Sequence, residues 1–118
     1  MKVTDIRDAL LALTDKVYHY TAPARDCANR YIVWGETGCS VPLDADDRPD
    51  LVTVTGELIL YTQTEYDPML NRLTAALAGL AESDGFAWQG AGMGYDEQGH
   101  FFQYVFAWSA CCGIGEIY

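Results

Sequence analysis

The chain holds no lysine or arginine beyond Arg72, while acids continue through Asp84, Asp96, Glu97 and Glu116. Over 118 residues, 7 basic side chains face 17 acidic ones. The resulting net charge of −10 argues against a stable grip on phosphate backbones. Apolar runs are short, and none approaches the roughly 20 residues that cross a bilayer, so no membrane partner is expected. Met1 to Arg7 is mixed polar with no apolar segment, so no secretion signal is expected there and the cytoplasm is the expected workplace. The cysteines, Cys27, Cys39, Cys111 and Cys112, include no Cys-x-x-Cys, and their spacing fits no zinc site. In a reducing compartment they are expected to be buried or idle thiols rather than disulfides. Internal repeats and low-complexity linkers are also missing.

Half of the residues are hydrophobic and a fifth are charged, which places the chain among globular proteins rather than disordered ones. A chain of this length buries roughly two-thirds of its unfolded surface, enough for one core, so residues 1–118 are expected to form a single domain. Thr4 is placed to cap a helix over about Asp5–Leu13, whose Ile6, Ala9, Leu10 and Leu13 recur at helical spacing. Val17 to Tyr20 is short and β-prone. Tyr31 to Trp34 reads as a strand that stops near Gly35 and Gly38. From Leu51 to Thr62, Val52, Val54, Leu58 and Leu60 alternate with Thr53, Thr55, Glu57 and Tyr61, the period of a half-buried strand. Gly56 interrupts the apolar face and marks a bulge or bend.

Asp67-Pro68 is a strong helix start, with proline at the first helical position, and Met69, Leu70, Leu73, Ala76, Leu77 and Leu80 form a stripe of period near 3.6 ending around Ala81 or Glu82. The C-terminal part reads as a hairpin. A three-residue loop at Glu97-Gln98-Gly99 would set Asp96 opposite His100, and Gly94, Gly92 and Gly90 opposite Phe102, Tyr104 and Phe106. Residues 110–118 are expected to be loose or to dock on a neighbour. The expected fold is α+β: a mainly antiparallel sheet of about four strands with two helices on one face, in the order α-β-β-α-β-β.

Motifs that would carry chemistry fail on inspection. From Asp44, a calcium loop would need an acid, Gly and Glu where Arg48, Pro49 and Thr55 stand. Gly90-Ala91-Gly92-Met93-Gly94 would need a glycine at Tyr95 and a following helix to hold a dinucleotide. Ser40, Ser83 and Ser109 lack a nucleophile elbow. Cys111 or Cys112 with His100 would make a thiol–imidazole pair only if folding brought them together. The aromatic run Phe102, Tyr104, Phe106, Trp108 has no interleaved cations for stacking on nucleic acid, so it reads as core or as an oligomer interface. No catalytic, metal or cofactor residue emerges, and the chain is expected not to be an enzyme. The alternative to a structural role is a small-ligand or regulatory binding module.

Three strings, Tyr31-Ile32-Val33-Trp34-Gly35-Glu36, Glu57-Leu58-Ile59-Leu60-Tyr61-Thr62 and Tyr66-Asp67-Pro68, together with the aromatic hairpin, resemble small tail-terminator or tail-completion proteins of long-tailed bacteriophages and prophages. The resemblance covers most of the chain, from the first helix to about Trp108, and leaves out Cys111-Cys112-Gly113. It implies a sheet flanked by helices and assembly with copies of itself, typically as a hexameric ring, at the head-proximal end of the tail. It further implies a structural protein of the virion neck, made in the host cytoplasm, that meets the tail tube protein and a head-completion protein while DNA passes through. No catalytic residue carries over. Within that expectation, Thr53, Thr55, Glu57, Ile59 and Tyr61 on the long strand and Phe102 and Tyr104 on the hairpin are the candidate subunit contacts. Asp96 and Glu97 are the candidate acids facing the lumen.

Overall fold

A computed structural model describes residues 1–23, 29–41, 51–83 and 85–118. Alternation of apolar and polar residues, strongest from Leu51 to Thr62, sets the architecture by giving each strand one face to bury. The chain runs α1 (Thr4–Leu11), β1 (Val17–His19), β2 (Arg30–Ser40), β3 (Leu51–Thr62), α2 (Met69–Ala81), β4 (Phe86–Asp96) and β5 (Phe101–Gly113). Among the described residues the strands form one five-stranded sheet in the order β1-β2-β3-β5-β4. The fold class is α+β, but the sheet is mixed and has five strands rather than about four. The β-prone run at Val17 lies parallel to β2, pairing Val17 with Ile32 and His19 with Trp34. It reaches that position through α1 and adds a second strand between the first helix and β3.

The even-numbered face of β3 meets the same face of β5: Val52 opposes Cys112, Val54 Ala110, Leu58 Phe106 and Leu60 Tyr104. Val3, Ile6 and Leu10 at the N-terminal helix and Met69, Leu73 and Leu77 of α2 join these residues in one buried cluster with Ile32 and Trp34. Both helices therefore pack on that face. Gly56 sits in the middle of it opposite Trp108, and a Cβ there would run into the indole and into the Gly35 carbonyl oxygen. The glycine makes room for tryptophan. The bulge lies not at Gly56 but in its partner β2, between Glu36 and Gly38.

At the helix starts, Asp67 Oδ1 accepts from Met69 N at 2.9 Å and caps α2 as its sequence suggests. Thr4 does not cap α1. That helix begins after Val3 without a side-chain cap, and Asp5 Oδ2 instead accepts from Lys2 N at 2.9 Å.

The hairpin register differs from the three-residue loop. Asp96 opposes Phe101, leaving four residues in the connection, and His100, not Gly99, takes the left-handed conformation at φ 57°. Gly94 and Gly92 consequently face Gln103 and Val105. A bulge between Gly90 and Gly92 then restores the pairing of Gly90 with Phe106. Nor is the end of the chain loose: β5 continues to Gly113, the chain turns at Gly115 (φ 82°), and Ile117 O accepts from Val3 N at 2.7 Å.

Candidate functional site

The face of the sheet opposite the helices is covered by no helix among the described residues. Register places Thr53, Thr55, Glu57, Ile59 and Tyr61 on it, beside Cys111, Ser109, Ala107, Val105 and Gln103 of β5. It grades along the strands. At one end Tyr31 stacks on Tyr61 at 4.8 Å between ring centres, and Phe101 meets both edge-on. Val33, Ile59 and Val105 fill the middle, all half-buried. At the other end small side chains leave a shallow cavity of about 420 Å³ whose rim includes Thr55, Glu57, Gln89 and Ser109.

The other two candidate contacts are not on this face. Phe102 and Tyr104 pair with Thr62 and Leu60 and so belong to the helix side, at the end of the hairpin. There Tyr95 packs on Phe102 at 4.7 Å, and Met93 beside Tyr104 is 79% exposed. The sequence-derived set is thus split between two surfaces. Moreover β3, which carries most of it, is an interior strand paired along its length with β2 and β5, so it offers a face to a partner but no edge.

Asp96 and Glu97 are both exposed at the hairpin loop. Asp96 Oδ1 accepts from Gln98 N at 3.1 Å, and Gln63 Nε2 donates to Gly99 O at 3.1 Å, tying the loop to the end of β3. The acids project from a braced turn.

Two polar clusters escaped sequence reasoning. Asp67, its side chain fully buried, accepts from Thr62 Oγ1 at 2.6 Å and from Arg30 Nη1 at 2.9 and 3.1 Å, besides capping α2. Burial pushes its carboxyl up, but the Thr62, Met69 and Arg30 bonds and the Arg30 charge outweigh it and hold the carboxyl below its ordinary range. This cluster joins β2 and β3 to the start of α2.

The second cluster lies along the outer side of β2. Glu36 Oε1 is 2.7 Å from His19 Nε2, and Glu36 Oε2 accepts from Tyr118 Oη at 2.6 Å. Burial again raises the acid, and the Tyr118 and His19 bonds again win, leaving Glu36 lowered. Tyr118, conversely, is pushed up to about 12 by the carboxylate it bonds. Tyr20, held at φ 69°, lays its ring over Gly35, where a Cβ would collide with it. Its hydroxyl donates to Glu36 O at 3.1 Å. Glu36 and Tyr118 lie 82 positions apart in the chain, so this cluster leaves no pattern in the sequence.

Cys112 is buried, and burial raises its thiol pKa. Cys111 is half-buried with Sγ 3.8 Å from Thr53 Oγ1. Cys39 is exposed. Cys27 and the acidic loop at 44–50 lie outside the described residues. Nδ1 of His100 lies 3.3 Å from Tyr95 Oη at the hairpin tip, whereas Cys111 and Cys112 pair with Thr53 and Val52 near the start of β3. The thiol–imidazole pair is therefore not assembled. Among the described residues, no group of three or more His, Cys, Asp or Glu side chains is placed to hold a metal ion, and no helix is long and apolar enough to cross a membrane. No protein-family model matches the chain, and no curated protein matches it.

Proposed function

We propose that the chain is a structural subunit of the neck of a long-tailed phage or prophage. In this reading it assembles with copies of itself, as a ring of about six, at the head-proximal end of the tail. It ends tail-tube growth, contacts the tail tube protein and a head-completion protein, and lets DNA pass without specific binding. No catalysis is assigned to it. The observation that carries the reading is the helix-free sheet face. Tyr31, Val33, Ile59, Tyr61, Phe101 and Val105 form one continuous half-buried apolar surface there, and surfaces of that kind are usual where another protein docks. Two of the three phage-like strings support it further, because they meet where Thr62 donates to Asp67, and Arg30, just before the remaining string, bonds the same carboxylate.

Electron microscopy of the purified protein, alone and with tail tubes, tests the proposal. Annular particles, or caps on tube ends, are expected. The Ile59→Asp variant, which places an acid in the middle of the face, is expected to fold and to lose both. Wild-type protein that neither forms rings nor binds tubes would sink the reading.

The shallow cavity at the small-residue end of the same face favours a second reading, a small-ligand binding module. A shift in melting temperature with a panel of metabolites, abolished by Glu57→Leu, would favour that module over the ring.

A further inference from the structure

The two edges of the sheet are treated differently. On one side, β1 pairs with part of β2, and beyond it the ring of Tyr20 and the hydroxyl of Tyr118 close over Gly35 and Glu36. On the other side, among the described residues, β4 is outermost, eleven residues long, and pairs only with β5.

The ladder gives the direction of its free groups. Cys111 N donates to Gly85 O at 2.7 Å, which makes Gly85–Cys111 a bonded pair. In an antiparallel ladder bonded pairs alternate, so Ala87 and Gln89 also bond β5, while Phe86, Trp88 and Gly90 turn their N–H and C=O outward. Natural edges of this length are usually guarded by lysine or proline. Here the stretch from Gly85 to Tyr95 contains neither, and no charged side chain at all.

We propose that the outer edge of β4 pairs with β4 of a second copy of this chain, antiparallel about a two-fold axis through Trp88. Self-complementarity selects the occupant. The stretch 85–95 carries no charge, so two copies pair along it without like charges meeting in the ladder, and its outward residues match their own reverse, with a ring at Phe86 and at Trp88 and bare backbone at Gly90. The register follows from the outward groups. Trp88 meets Trp88 of the other copy, and Phe86 meets Gly90, whose missing side chain leaves the partner's ring unobstructed, as it does for Phe106 within the chain. About six inter-chain hydrogen bonds form, and the bulge after Gly90 ends the pairing. Such a short contact makes a weak dimer, and a two-fold contact closes after two copies. The inference therefore does not rest on the ring reading, whose contacts run head to tail.

The register puts Ala87 of one copy opposite Gln89 of the other, and both side chains are exposed. Sedimentation of the full chain from about 10 µM to about 1 mM is expected to show mass rising from 13.1 kDa toward twice that value. The A87K/Q89K variant sets lysine against lysine and is expected to stay monomeric. The A87K/Q89E variant sets lysine against glutamate and is expected to dimerise at least as well as wild type. Wild-type protein that stays at 13.1 kDa throughout, or two variants that behave alike, overturns the pairing. If a variant fails to fold, amide exchange on the wild type decides. The Phe86, Trp88 and Gly90 amides must gain protection with concentration, and unchanged exchange overturns the proposal.

Discussion

Asp67 does three things with one carboxylate: it caps α2, accepts from Thr62, and holds Arg30 across from β2. Replacing it with alanine leaves the Thr62 hydroxyl and the Met69 amide without their partner in a buried place. We expect a loss of about 2–3 kcal/mol in urea unfolding. Because its folded pKa lies below the unfolded value, its contribution is complete above that unfolded value and fades as pH falls through the folded one. Unfolding free energy measured from neutral pH downward should thus decline below about pH 4 in the wild type, and less steeply in Asp67→Asn.

Tyr118 has the opposite sign. Glu36 favours its protonated form, so the contact is intact below the ordinary tyrosine pKa and is lost as pH rises toward about 12. An absorbance titration near the phenolate band is expected to show Tyr118 ionising late, alongside Tyr61, which burial also raises, and Glu36→Gln is expected to move the Tyr118 component alone back toward the ordinary range. Tyr66 tests backbone strain on its own. It is 87% exposed at φ 55°, so Tyr66→Asn should raise stability by about 0.5–1 kcal/mol in thermal unfolding.

At the scale of elements, β3 was legible to the residue and α2 to within one residue at its ends. Each carries its period undisturbed over more than ten positions, and period is what burial on one side imposes. Gly56 was legible as an interruption but not as a socket, because the indole that fills it lies 52 positions away and only β3–β5 pairing brings it there. The hairpin was legible as a hairpin and misread in register. One extra loop residue and one bulge shift and then restore the pairing, and backbone geometry of that kind is weakly encoded by side-chain type. The parallel pairing of β1 leaves no trace in three residues. Of the candidate contacts, the odd positions of β3 were legible as one face from alternation alone, whereas the bare edge of β4 needed the strand order. Gly56→Ala makes the socket measurable: we expect a loss of about 1–3 kcal/mol in urea unfolding, since neither the Trp108 ring nor the Gly35 carbonyl has room to withdraw.

For the whole molecule, charge opposes every association of like copies. At −10 each, the repulsion between copies is long-ranged in dilute buffer and shrinks within about 10 Å near 0.1 M salt. Light scattering is expected to show self-association growing as salt rises from about 0.02 M to about 0.3 M. Falling association would mean that ion pairs, not the apolar face, join the copies.

The strand β5 is made after every other element, yet it sits between β3 and β4. A nascent chain that lacks it has β3 with one flank unpaired and the buried side of the sheet missing Phe106, Trp108, Ala110 and Cys112. Folding of this sheet on the ribosome must therefore wait for β5 to emerge, and the unfinished chain carries an open apolar strand in the meantime. Premature termination anywhere before Phe101 should yield material bound by chaperones or degraded, with no partly active remnant.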